Sequence, residues 1–218
     1  ITATLIPPAL TVDFTYDGPA PPPTLPGSYA VTGTVNDASY YGSSADTLTV
    51  GKAAVTVYLG NLAQTYDGTA RTITATTMPA GLTVEFTYDG GATAPSNAGS
   101  YAVTGTVNEV NYQGSAADTL VIGKAAATVT LGSLSHTYDG TPKSATATTV
   151  PEGLAVDFTY DGSATAPTAV GSYAVTGTVN EANWQGSAAD TLAIAKADQA
   201  ITNFLPADGA QFVLGSAT

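Results

Sequence analysis

The chain has 218 residues, of which 44% are apolar, 10% are charged, 37 are threonine and none is cysteine. An ordinary apolar share with so few charges, against about a quarter in typical soluble domains, describes a folding chain rather than a disordered acidic polymer. A net charge of −12 repels phosphate backbones and anionic lipid surfaces, which excludes nucleic acid as a partner. The absence of cysteine excludes thiol catalysis, thiolate metal sites and disulfides. Apolar runs such as Leu120-Val121-Ile122 are far too short for a helical span of a bilayer, so no membrane insertion is expected. Ile1 to Leu10 lack the basic start and apolar stretch of a signal peptide, and a soluble, mature segment is expected.

Self-comparison gives a period of 72 residues. Val12-Asp13-Phe14-Thr15-Tyr16-Asp17-Gly18 returns, with Glu85 for Asp13, from Val84 and again from Val156; Gly27-Ser28-Tyr29-Ala30-Val31-Thr32-Gly33-Thr34-Val35-Asn36 recurs unchanged from Gly99 and Gly171. Residues 53–124 and 125–196 are identical at 51 of 72 positions. The expected organisation is repeat 1 over 1–52, lacking its first strand, repeat 2 over 53–124, repeat 3 over 125–196, and a tail over 197–218 that is either a donor strand or the start of a further domain.

Taken along repeat 2, Val55, Val57 and Leu59 alternate on a predicted first strand, and Ile73 and Ala75 lie on a second. Leu82, Val84, Phe86 and Tyr88 mark a third, Tyr101, Val103 and Val107 a fourth, and Leu120 with Ile122 a fifth. This is the period-2 pattern of half-buried strands, and no segment carries a helical stripe. Tyr66-Asp67-Gly68, Asp89-Gly90-Gly91 and Asn97-Ala98-Gly99 fall between them as turns, since glycine accepts positive φ and aspartate bonds the turn backbone. At the joints, Gly51-Lys52, Gly123-Lys124 and Ala195-Lys196 lead on with no Pro- or Ser-rich linker. Such joints predict a stiff rod to which each domain adds about 30 Å. The fold class expected is all-β: a tandem array of small β-sandwich, Ig-like domains, with a β-grasp-like sheet as the alternative topology.

Certain residues carry a resemblance. Tyr-Asp-Gly at Tyr66 and Tyr138, Pro-x-Gly-Leu-x-Val from Pro79 and Pro151, Gly-Ser-Tyr-Ala-Val, and Val-Asn-Glu-x-Asn from Val107 and Val179 resemble the YDG/MBG-type tandem repeats of large bacterial surface proteins. The resemblance covers residues 1–196. It implies an extracellular or cell-surface setting, a stalk-like role in adhesins, and no enzymatic activity.

Candidates for chemistry are few. His136 is the single histidine and Gln64 holds its place in repeat 2, so the unit has no need of an imidazole. The carboxylates stand in turns (Asp67, Asp89, Asp139, Asp161) or on the polar face of the third strand (Asp13, Glu85, Asp157). None has the spacing of a calcium loop. Asn108-Glu109 with Asn111, and Asn180-Glu181 with Asn183, read as loop caps. No cofactor, metal or catalytic residue is expected. A Lys–Asn amide cross-link is conceivable from Lys52, Lys124 or Lys196 with Asn36, Asn108 or Asn180, but lysines at domain edges are expected to be solvated. Tyr40, Tyr112 and Trp184 share one position, read as a loop between the fourth and fifth strands. They either plug that loop onto the core or stack on surface glycans, which makes a carbohydrate-binding array the alternative function.

The ends suggest a partner. Ile1 aligns with Ile73, so repeat 1 lacks the sequence of its first strand, while Ala200-Ile201-Thr202 align with Thr128-Val129-Thr130. An incomplete sheet exposes an edge and an apolar groove. The expectation is donor-strand complementation between copies of the chain, or with adjoining domains of one polypeptide. The donors are Ala200, Ile201, Thr202 and Phe204, with Phe212 and Leu214 on a second strand. The acceptors are Phe14, Tyr29, Val31 and Leu48. Head-to-tail joining of this kind builds a filament.

Overall fold

Threonine- and valine-rich segments broken by Asp-Gly turns have one way to bury their apolar side chains, which is to pair as strands and stack their alternate faces. In the computed structural model, which describes residues 2–5, 10–17 and 21–200, the described residues form an all-β repeat array without a helix. The chain divides into two compact units at Lys124/Ala125.

The first unit holds repeats 1 and 2. Repeat 1 is one antiparallel sheet, in the order β1 (Asp13–Tyr16), β2 (Gly27–Asn36), β3 (Tyr41–Val50). Repeat 2 has seven strands: β4 (Ala53–Ala54), β5 (Thr56–Gly60), β6 (Ala63–Thr65), β7 (Thr74–Met78), β8 (Glu85–Tyr88), β9 (Gly99–Asn108) and β10 (Tyr112–Gly123). β8, β9 and β10 repeat the order of β1–β3, and β4 and β6 then pair in parallel along the outer edge of β10. β5 and β7 form a separate antiparallel pair lying over this sheet. The result is a two-layer sandwich of five strands against two.

The second unit contains repeat 3, which reproduces this plan. β11 (Ala125–Ala126) and β13 (Ser135–Thr137) flank β17 (Trp184–Ala195), followed by β16 (Gly171–Asn180) and β15 (Asp157–Tyr160). β12 (Thr128–Gly132) pairs with β14 (Thr146–Val150).

The core of repeat 2 lies between the layers. Ile73, Tyr88, Val103, Leu120 and Ile122 form one buried cluster, and Val55, Val57 and Val107 another. Ala145, Tyr160, Val175, Leu192 and Ile194 are the counterparts of the first cluster in repeat 3. Each complete repeat has seven strands where alternation predicted five. The predicted first strand is divided at Val55 into β4 and β5, and β6 was read as loop because three residues are too few to show a period.

The hairpin chemistry read from Asp-Gly is present. Asp89 and Gly90 adopt φ of 47° and 82°, and Tyr88 and Gly91 exchange both backbone hydrogen bonds, at 2.6 and 2.9 Å. This is the two-residue turn with positive φ at both central positions. Asp89 Oδ1 also accepts the Ala102 N–H at 2.8 Å, as Asp17 does from Ala30 and Asp161 from Ala174. That bond offsets the strain of a non-glycine residue with positive φ.

Candidate functional site

Among the described residues, repeat 1 carries three strands, the counterparts of β8, β9 and β10. A groove of about 570 Å³ opens on this sheet, lined among others by Val12, Phe14, Val31, Val35 and Leu48. Three of the four predicted acceptor residues, Phe14, Val31 and Leu48, therefore meet at one surface. Tyr29 is not part of the lining; its hydroxyl donates to Leu25 O at 2.8 Å, a latch that Tyr101 makes on Asn97 and Tyr173 on Ala169. Thr2 to Leu5, which align with Thr74 to Thr77 of β7, border the groove but form no strand.

Equivalent glycines differ between the repeats. A Cβ on Gly114 of β10 would run into the backbone carbonyl of Val55, and one on Gly186 into that of Ala127, whereas among the described residues nothing lies within 4 Å of the same point on Gly42. A Cβ on Gly105 would meet the Leu59 side chain at 2.7 Å, and one on Gly177 the Leu131 side chain at 2.8 Å. At Gly33 the close neighbours are Val12 and Phe14 of the sheet itself. Leu120 and Leu192 are 0% exposed, while Leu48, in the same place, is only partly buried. These glycines were not singled out by sequence; a glycine inside a strand, which weakens the strand unless another backbone passes close, was the available signal.

The predicted donor segment begins with Ala200, which is exposed and outside any strand. Ile201, Thr202, Phe204, Phe212 and Leu214 lie outside the described residues.

Two of the three repeated aromatics open a strand instead of sitting in a loop, while Tyr40 stays in the loop ahead of β3. Tyr112 begins β10 and Trp184 begins β17, because β4 and β11 pair with them there. Tyr112 is partly buried against the Val55, Val57 and Val107 cluster. Trp184 is also partly buried, whereas Tyr40 is 48% exposed beside the open groove and Tyr41 is 95% exposed.

The charged groups serve loops. Glu109 Oε1 accepts the Thr83 N–H at 2.7 Å and Glu181 Oε1 the Ala155 N–H at 2.7 Å, each tying the segment before a short edge strand. His136 Nε2 donates to Ser133 O at 2.7 Å, as Gln64 Nε2 does to Asn61 O at 2.8 Å. In the Tyr-Asp-Gly loops, Asp67 accepts from the Thr69 hydroxyl and N–H and pairs with Arg71 at 2.7 Å. Asp139 pairs with Lys143 and accepts from Thr141 in the same way. These bonds hold both carboxyls below the usual range, the Thr69 hydroxyl contributing most at Asp67 and the Lys143 ammonium at Asp139. Lys52 Nζ donates to Asn108 Oδ1 at 2.6 Å, which brings together the two side chains of the conceivable cross-link. Among the described residues no cluster of three or more acids and histidines could hold a metal ion.

No curated protein matches the chain. The MBG domain family matches it three times, over residues 1–54, 55–126 and 127–198, the second and third matches each covering one period of the sequence repeat. MBG domains are structural repeat domains that typically occur in large bacterial surface proteins. With nearly its whole length matched, the chain belongs to the MBG domain family.

Proposed function

We propose that the chain is a non-enzymatic, load-bearing module of the bacterial cell surface, working outside the cell as the stalk of an adhesin. One observation carries this reading: the first and last strands of each complete repeat are parallel and directly bonded. In repeat 2, Ala53 N–H donates to Asn111 O at 2.8 Å and Val55 N–H to Gln113 O at 2.9 Å, at the start of β10; Tyr66 N–H donates to Gly123 O at 2.9 Å at its far end. Repeat 3 makes the same bonds from Ala125, Ala127 and Tyr138 to Asn183, Gln185 and Ala195. Tension enters ahead of β4 and leaves after the 12 residues of β10, along the strand axis. It therefore loads the terminal bonds in shear, where they must fail together, and not one after another as in unzipping.

Single-molecule pulling through residues 53 and 196 tests the proposal. Two unfolding events of equal contour length are expected, at forces well above those found when one repeat is pulled across its strands. Equal forces in both directions would refute it. A second reading is a filament subunit joined head to tail by strand complementation at the groove that Phe14, Val31 and Leu48 line. The glycan-binding alternative draws less support, because Tyr112 spends part of its ring on the core.

A further inference from the structure

We propose that Asp118 and Asp190 are positioning residues that hold a seam open in each complete repeat. Each occupies the backbone donor through which segment 55–62, or 127–134, would otherwise pair straight along β10 or β17. The proposal concerns how the sandwich acquires its second layer, and it is independent of any load on the chain.

The register shows that a straight strand is available. β4 pairs Ala54 with Gln113 and β6 pairs Ala63 with Val121, both in parallel. Nine residue steps on the segment thus face eight on β10, a surplus of one residue that a single β-bulge absorbs. Repeat 3 has the same surplus between the pairs Ala126 with Gln185 and Ser135 with Ala193. Yet the ladder stops. Val55 N–H donates to Gln113 O, the next bond runs from Val121 N–H to Leu62 O, and between them β5 turns away to pair with β7.

Along this gap the edge of β10 is bare. Gln113 O and Val121 N–H point to that edge, and backbone groups alternate in direction along a strand, so those of Ser115, Ala117 and Thr119 point there too. Ala117 has no partner at this edge among the described residues. The Thr119 N–H is taken by Asp118 Oδ1 at 2.7 Å, and the Thr191 N–H by Asp190 Oδ1 at 2.7 Å.

The carboxylate departs from the pattern of its own strand. Leu120 and Ile122 face the core, and alternation puts position 118 on the same face, opposite Val103, which is 1% exposed. The period asks for an apolar residue there. Asp118 stands in its place and stays exposed, as Asp190 does opposite the buried Val175. Closing the seam would strip water from the carboxylate and remove the N–H that it holds, and both changes are unfavourable. With the seam open, Val55, Val57 and Leu59 turn over the sheet and join its buried clusters.

The test is amide hydrogen exchange by NMR on the full chain, with Asp118 alone replaced so that repeat 3 serves as the internal reference. In the parent, the amides of Ala117 and Ala189 are expected to exchange about a hundredfold faster than those of Ala116 and Ala188, which point to β9 and β16. Comparable protection of all four would show that there is no seam and would overturn the proposal before any variant is made. Asp118→Val frees the Thr119 N–H and supplies the apolar side chain, and the Ala117 amide is expected to slow by about tenfold or more relative to Ala189. Asp118→Ala, which removes the acceptor without adding bulk, carries the same expectation should the valine variant not fold. Asp118→Asn keeps an acceptor for the Thr119 N–H and is expected to leave Ala117 as fast as in the parent. Unchanged exchange at Ala117 in a folded valine or alanine variant overturns the proposal, and so does slowing by Asp118→Asn as large as theirs.

Discussion

The phenolic oxygen of Tyr88 accepts the buried N–H of Ile73 at 3.2 Å, and Tyr160 does the same for Ala145 at 2.9 Å. The tyrosine that precedes the hairpin turn thus reaches across the core and satisfies a backbone donor just before β7 or β14, which no strand partner serves. Tyr88→Phe and Tyr160→Phe keep the ring and orphan that donor. Each is expected to cost its repeat about 1–3 kcal/mol, read as an earlier transition in chemical denaturation. A change within error would show that the bond is dispensable.

Equivalent leucines set up an internal comparison. Leu120 is fully enclosed between two layers, whereas Leu48 faces the open groove. Leu120→Ala is expected to destabilise repeat 2 by roughly 2–5 kcal/mol, the transfer cost plus a cavity. Leu48→Ala leaves no enclosed cavity and should cost less than half as much. Equal losses would mean that repeat 1 is covered in solution.

What the sequence conveyed, and what it did not, follows from the range of the interactions. Val103, Val107, Leu120 and Ile122 were legible because alternation along one long strand reports a buried face directly. The place of Tyr112 was not, since it belongs to a strand only through pairing with Ala53, a partner that Asn111 and Gln113 give no hint of. Strand β6 was hidden for the same reason: its three residues become a strand on the edge of β10. For the groove, the 72-residue register named Phe14, Val31 and Leu48, which line one surface. The role of Gly114 and Gly186 needed coordinates, because only the structure shows the carbonyls of Val55 and Ala127 passing over them.

The Lys52–Asn108 contact is expected to remain a hydrogen bond. Amide formation would require an unprotonated lysine and an acid to carry protons, with loss of one ammonia. Here Asn108 is exposed and Lys52 only partly buried, and Glu109 is engaged with the Thr83 N–H. Intact mass should therefore equal the sequence mass; a deficit of one ammonia would reveal the cross-link. Lys52→Ala, which removes one partly solvated bond, should cost about 1 kcal/mol or less.

Acid should loosen the Tyr-Asp-Gly loops. Asp67 and Asp139 titrate in the folded chain below the ordinary value of 3.8, so the unfolded chain takes up protons first as the pH falls. The stabilisation from these carboxylates is thus complete above about pH 5 and declines as the pH drops through 3.8 towards the folded values. The loss should be modest, because both groups are solvated and salt screens them. Asp139→Asn removes the charge that Lys143 and Thr141 hold, while an amide oxygen can still accept from the Thr141 N–H. The variant is expected to melt lower than the parent at pH 7 and to approach it by pH 2, with the difference shrinking in high salt. Parallel melting curves for the two proteins between pH 7 and pH 2 would show that the loop pair does not contribute to the acid response.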